Sequence, residues 1–236
     1  MIKKISVVIN TYNRSKDLEC LLESLYYLEY KNFEVIVVNG PSTDNTNVVL
    51  EKYKNDIKIA STDQINLSVS RNIGIAMSAG DYVAFIDDDA IPDRLWLNKI
   101  LKGFNEPDVA GVGGDTFDIT GVNYQARRII SFRNSSSHTC YTGNNPIHIP
   151  NSFKFISTMG VNSIYSKACL LKINGYDEQY DYYLDQTDLC ARLVDAGYYI
   201  NYQEGADVYH KFSPSHLRDK NKYITNYTPI IKNLYY

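Results

Sequence analysis

At 236 residues, 44% of them hydrophobic, and a net charge of −3, the chain can bury a large core as one α/β domain but carries no basic excess for gripping duplex nucleic acid. Its four cysteines, Cys20, Cys140, Cys169 and Cys190, form no C-x-x-C pair and no zinc spacing, which argues against a disulfide framework or structural zinc and for a reducing compartment. No apolar run approaches the roughly 20 residues that span a bilayer, so a cytoplasmic protein is expected, touching the inner face of the membrane only through its surface.

Short β-branched runs alternate with helical periodicity in the first half, the pattern of a mainly parallel sheet flanked by helices. A strand is predicted at residues 5–10. Ser15 is expected to cap a helix in which Leu18, Leu21, Leu22 and Leu25 share one face. A strand at 33–39, a turn at 40–44, a helix at 45–53 and a short strand at 57–61 follow. Ser68 is read as the cap of a helix through 71–77 that stops at Gly80, and residues 82–87 form the most strand-like run.

Beyond Pro92 a helix near 95–104 precedes a glycine-rich strand at 109–117. Residues 118–150 show little pattern and are read as an irregular insert or lid carrying Arg127, Arg128, Arg133 and a serine cluster. Regular structure returns at 166–173, and a helix at 184–196 buries Leu189, Leu193 and Ala196. The aromatic end at 230–236 suggests a longer native polypeptide with further domains.

The segment Phe85-Ile86-Asp87-Asp88-Asp89 sets three carboxylates at the end of an apolar strand, where an open α/β sheet presents its ligand crevice. Alternation along an extended backbone lets Asp87 and Asp89 converge while Asp88 points elsewhere. Two convergent carboxylates suit Mn2+ or Mg2+ completed by water and phosphate oxygens, as diphosphate substrates require. The bland alternative is a solvated turn with a helix cap.

Several segments share one likeness. Ser6-Val7-Val8-Ile9-Asn10-Thr11-Tyr12-Asn13-Arg14, Val37-Val38-Asn39-Gly40-Pro41-Ser42-Thr43-Asp44 and Leu67-Ser68-Val69-Ser70-Arg71-Asn72-Ile73-Gly74, with the acidic turn as a D-x-D, resemble the donor half of glycosyltransferase family 2, the inverting family with the GT-A fold. Gly160-Val161-Asn162, Ile173-Asn174-Gly175-Tyr176-Asp177-Glu178 and Tyr183-Leu184-Asp185-Gln186-Thr187-Asp188-Leu189 resemble its acceptor half. The likeness runs from residue 5 to about 215. It implies one GT-A domain over 1–236: a nucleotide-sugar half to about 117, an acceptor half from 118 to 215, and an extension at 216–236.

The resemblance implies an enzyme that moves a sugar from a nucleotide diphosphate, UDP- or dTDP-linked, to a hydroxyl of a glycan or lipid-linked glycan, in bacterial surface-polysaccharide or glycan assembly. Thr11, Tyr12, Asn13, Arg14, Asn39, Ser42, Arg71, Asp87 and Asp88 would then serve the donor, Arg71 through a helix start. Asp87 and Asp89, joined by His210 from Val208-Tyr209-His210-Lys211, would hold the metal. His138, His148 and His216 fall in no matching segment.

The family's base falls on Gln186, whose amide cannot take a proton at neutral pH. Asp185 and Asp188, i and i+3 on one helical face, remain as catalytic candidates, although Asp185 could cap the helix and Asp188 pair with Arg192. The competing reading is a catalytically inactive nucleotide-sugar- or carbohydrate-binding domain of the same fold.

Overall fold

A computed structural model describes residues 3–140 and 153–235. The donor half forms β1 (Ile5–Thr11), α1 (Ser15–Leu25), β2 (Phe33–Asn39), α2 (Thr46–Tyr53), β3 (Lys58–Ser61), α3 (Leu67–Met77) and β4 (Tyr82–Asp87). The acidic turn leads into β5 (Ala90–Pro92), α4 (Trp96–Ile100) with a trailing 3-10 turn, and β6 (Val109–Asp118). Then come β7 (Tyr124–Ala126), β8 (Arg128–Phe132), β9 (Ser137–Cys140), β10 (Lys154–Ser157), β11 (Ser163–Ser166), α5 (Lys167–Lys172), α6 (Asp185–Asp195), β12 (Tyr199–His210) and α7 (Thr228–Tyr235).

The main sheet has the order β3-β2-β1-β4-β11-β6-β12-β5, with β7 on β6. Strands β1 to β4, β6 and β12 run one way; β5, β7 and β11 run the other. Pro92 sits in β5 at the edge of that order, where its missing N–H breaks no ladder. Alternation along β1 sends Ile5, Val7 and Ile9 to one face, against Leu18, Leu21, Leu22 and Leu25 of α1 and Trp96, Leu97 and Ile100 of α4. Val8 goes to the other face, with Ile75 of α3, Phe85 and the buried side of α6.

Two expected caps are replaced. Ser15 is the first residue of α1 and offers no side-chain cap; its N–H donates instead to Asp44 Oδ2 at 3.0 Å, so a carboxylate from the β2 turn caps the helix. Asn66 caps α3 by accepting from the Val69 N–H at 3.1 Å, while Ser68 donates its hydroxyl to the Tyr180 carbonyl. The insert is not irregular over its described part. Strands β8, β9 and β10 make a small antiparallel sheet whose interior includes serine hydroxyls, Ser131 to Ser157 at 2.5 Å and Ser131 to Ser137 at 2.8 Å. Polar pairs of this kind leave no apolar alternation to read. His148 and residues 141–147 and 149–150 of the predicted insert lie outside the described residues.

Candidate active site

Strand β4 runs beside β1 with Asp87 opposite Asn10, and the turn after it carries the chain into β5, which pairs with the end of β12 so that Ala90 faces His210. This crossing brings the acidic turn against His210. The His210 Nε2 lies 3.2 Å from Asp89 Oδ1 and 3.8 Å from Asp87 Oδ2. Among the described residues, Asp87, Asp89 and His210 group their ligand atoms within 4.8 Å of one another. His210 Nε2 is buried without a hydrogen-bond partner, and Asp89 Oδ1 has no hydrogen bond beyond its ion pair with Arg14; a divalent cation would satisfy both at once.

Asp88 points the other way, accepting from the Thr11 hydroxyl at 2.7 Å and from Arg14 at 2.8 Å. Arg14 also lies 3.2 Å from Asp89 Oδ1 and donates to the carbonyls of Ser213 and Pro214, locking the acidic turn to the chain after β12. Burial lifts the Asp88 carboxyl to about 7 against the pull of Arg14. Burial would lift Asp89 too, but His210, Arg14 and the Ser213 N–H more than offset it and hold that carboxyl below the usual range. Three carboxylates therefore face one guanidinium, an excess of negative charge at the mouth of a cleft.

That cleft, of about 790 Å3, opens at the carboxyl ends of β1, β2 and β4. Thr11, Tyr12, Arg14, Asp87 and Asp88 line it. Three residues expected there, Asn13, Asn39 and Ser42, do not line it. Asn13, held at φ 55°, accepts through Oδ1 from the Thr43 and Asp44 amides; its own N–H donates to Ser42 Oγ, Ser42 donates to Asn39, and Asn39 donates to Asn47. This chain of polar contacts staples the turn after β1 to the turn after β2 and fixes the cleft wall. Conversely, His216, Arg218 and Tyr182 line the cleft although no sequence signal marked them. His216 packs edge-on to Tyr12 at 5.9 Å, and burial, with Arg14 and Arg218, lowers its basicity. Arg218 stacks on Phe212 and donates to the Tyr182 hydroxyl at 3.0 Å.

Towards α6 the structure revises Arg71. With Asn66 as the cap, Arg71 lies in the second turn of α3 and not at its start, and its guanidinium pairs with Asp185 in the interior, over the rings of Tyr176 and Phe85. Burial raises the Asp185 carboxyl, with Arg71 opposing. Gln186 is also buried: its oxygen accepts from the Tyr176 hydroxyl at 3.0 Å, and its nitrogen donates to Thr158 at 2.9 Å and to Tyr165. Asp188 pairs with Arg192 at 2.8 Å, i to i+4, and Arg192 reaches the carbonyls of Ile173 and Gly175. Neither Arg71, Asp185, Gln186 nor Asp188 lines the cleft; Asp188 borders a second hollow with Phe132 and Tyr180. Tyr183 and Leu184, both at positive φ, lead into α6, and their strained turn is held from outside by Asn233 of α7, which donates to the carbonyls of Tyr182 and Tyr183. Trp96 serves the core, its indole donating to Asn162 at 2.8 Å.

The sequence pattern described as Glycosyl transferase family 2 matches residues 6–166. The chain belongs to glycosyltransferase family 2. It is similar to the chondroitin synthase of Pasteurella multocida, 25% identical over an alignment of 244 positions that covers 89% of this chain and 25% of that protein. It spans 14 to 38% of the length of three further curated glycosyltransferases that it matches. The fold is shared with the mannosyltransferase PcManGT from Pyrobaculum calidifontis, solved with GDP-Man and Mn2+, at a TM-score of 0.67, 18% identity and coverage of 92% of this chain and 59% of the other. It is shared also with S. aureus TarS 1–349 in complex with UDP-GlcNAc, at 0.62, 21% identity and coverage of 90% and 61%.

The mixed sheet with helices on both faces described above is the GT-A architecture that these structures share. The family pattern stops at residue 166, ahead of His210, His216 and Arg218. His216 and Arg218 reach the cleft, and His210 reaches the acidic turn, only because β12 crosses beside β5 and the following loop folds back over Arg14. Among the described residues no helix is long and apolar enough to cross a membrane.

Proposed function

We propose that this family 2 chain transfers a sugar, with inversion, from a nucleoside diphosphate donor to a hydroxyl of a growing glycan. The observation that carries the reading is the buried His210 Nε2, without a hydrogen-bond partner and 3.2 Å from Asp89 Oδ1, beside Asp87, which lines the cleft. Asp87, Asp89 and His210 would hold Mn2+ or Mg2+, which supplies a Lewis acid for the charge on the departing diphosphate. Tyr12 and His216 flank the nucleoside, and Arg218 stands at the phosphate side, while Arg14, spent on Asp88, Asp89 and the Ser213 and Pro214 carbonyls, lends its positive charge from behind the acidic turn.

Inversion needs a carboxylate that takes the acceptor's proton as the new bond forms. Asp185 is assigned that role over Asp188. Burial raises its proton affinity, and Arg71 holds the carboxylate at the head of α6, whereas Asp188 is engaged by Arg192. Gln186, with both ends of its amide in hydrogen bonds, holds the surrounding interior. A second reading, a binding domain without turnover, is favoured by that amide at the base register.

The test is release of nucleoside diphosphate from UDP-, dTDP- and GDP-sugars with Mn2+, for the wild type and Asp89→Ala. Turnover that EDTA and Asp89→Ala both abolish is the expected result. Turnover that survives Asp89→Ala removes the metal assignment, and donor affinity without any turnover selects the binding domain.

A further inference from the structure

We propose that Gln125 is a positioning residue: its side-chain amide fixes His210 in the tautomer that can ligate a metal. The inference rests on the metal reading above. Gln125 Nε2 lies 3.1 Å from the His210 main-chain carbonyl oxygen, a bond that only the NH2 end of the amide can donate. The other end is thereby set: Oε1 faces His210 Nδ1 at 2.7 Å. An amide oxygen only accepts, so Nδ1 carries the proton and donates it. In the neutral ring the lone pair is left on Nε2, the atom turned towards Asp87 and Asp89.

A lone pair aimed at two carboxylates is repulsive without a cation between them, and Nε2 is indeed buried with no hydrogen-bond partner, while Asp89 Oδ1 has only the Arg14 guanidinium at 3.2 Å. The opposite tautomer would donate from Nε2 to Asp89 and need no metal. Gln125 disfavours it, because Nδ1 would then oppose the amide oxygen lone pair to lone pair. Ligating histidines are generally held in this way through their second nitrogen.

The backbone points to the same role. Strand β7 pairs with β6 through Ala126 opposite Thr116 and Tyr124 opposite Phe117, so three residues of β7 face two of β6 and Gln125 is the extra one. A bulge turns the side chain of its extra residue out of the regular alternation, and here it delivers the amide to the end of β12. The first strand of the insert thus supplies part of the metal centre.

The test uses the whole chain and Mn2+ alone, with binding followed by the electron paramagnetic resonance signal of free Mn2+. Gln125→Leu is expected to weaken Mn2+ binding about 10- to 100-fold. Gln125→Glu, which still accepts from Nδ1–H, should stay within a few-fold of wild type. Nitrogen-15 spectra of the metal-free wild type, recorded at a pH where the ring is neutral, should show the His210 proton on Nδ1. A neutral ring with its proton on Nε2, or wild-type Mn2+ affinity in a Gln125→Leu variant that melts as the wild type does, overturns the proposal. Absence of Mn2+ binding by the wild type removes the metal reading itself, a separable outcome. Should Gln125→Leu melt early, loss in Gln125→Leu together with retention in Gln125→Glu at a matched melting temperature still supports the role, and equal loss in both overturns it.

Discussion

Replacing Asp185 with alanine should damage the fold before it damages catalysis. The Arg71 and Asp185 side chains are 4% and 7% exposed, and the guanidinium lies between Phe85 and Tyr176 with centroid distances of 5.8 and 5.0 Å. A Cβ added at Gly160 would come within 2.3 Å of the same guanidinium, so the pocket is closed on that side by backbone. Loss of the carboxylate leaves the guanidinium in a largely buried site. Leaving one partner of a buried pair uncompensated costs about 3–5 kcal/mol, roughly 10²- to 10³·⁵-fold in the folding equilibrium, whereas replacing both partners with apolar groups is often close to neutral.

Urea denaturation of Asp185→Ala, Arg71→Met and the pair Arg71→Met/Asp185→Leu measures this. Each single variant should lose about 3–5 kcal/mol, and the double variant should recover to within about 1–2 kcal/mol of the wild type. Asp188→Ala is the control. Its pair with Arg192 is 19% and 30% exposed, and an i,i+4 contact of that kind is worth about 0.3–0.5 kcal/mol. A loss below about 1 kcal/mol in Asp185→Ala, or a double variant no better than the singles, would refute the argument. Activity lost by Asp185 variants is interpretable as lost proton transfer only after this correction.

Two further outcomes follow from the packing and the charges. Glu34 is desolvated, yet the Ser6 hydroxyl, the Ala79 N–H, Lys4 and Lys58 bring its carboxyl from 4.5 down to about 2. Its folded value lies below the unfolded one, so its contribution is complete above about pH 4.5 and disappears as the pH falls towards 2. Glu34→Gln should cost about 1–2 kcal/mol at neutral pH and nothing near pH 2 by chemical denaturation, and a pH-independent gap contradicts this. Gly74 lets α3 approach β1, since a Cβ there would sit 2.3 Å from Val8 Cγ1 in a fully buried side chain. Gly74→Ala should therefore destabilise by about 1–3 kcal/mol despite alanine's better helix propensity, and Val8→Ala should restore part of it; a stabilised Gly74→Ala would show that the helix can shift.

The donor half was legible because its signals are local. Apolar periods of two and 3.6 residues write β1, α1, β2 and β4 directly into the sequence, and a D-x-D at a strand end announces its chemistry without a partner. The strands of the insert and β12 carry serines, tyrosines, asparagine and glutamate where apolar residues would mark a face, so only their neighbours decide that they pair. The same holds for roles. Arg71 has the chemistry to bind phosphate, and what removes it from the cleft is Asp185, 114 residues away. His216 and Gln125 bear no motif, and their positions follow from a loop folding back over Arg14 and from one extra residue in β7. Residue type and spacing determined which reactions this chain could attempt. Long-range pairing, with the burial and charge compensation that it imposes, decided which side chains stand free to act and which are spent holding the site in shape.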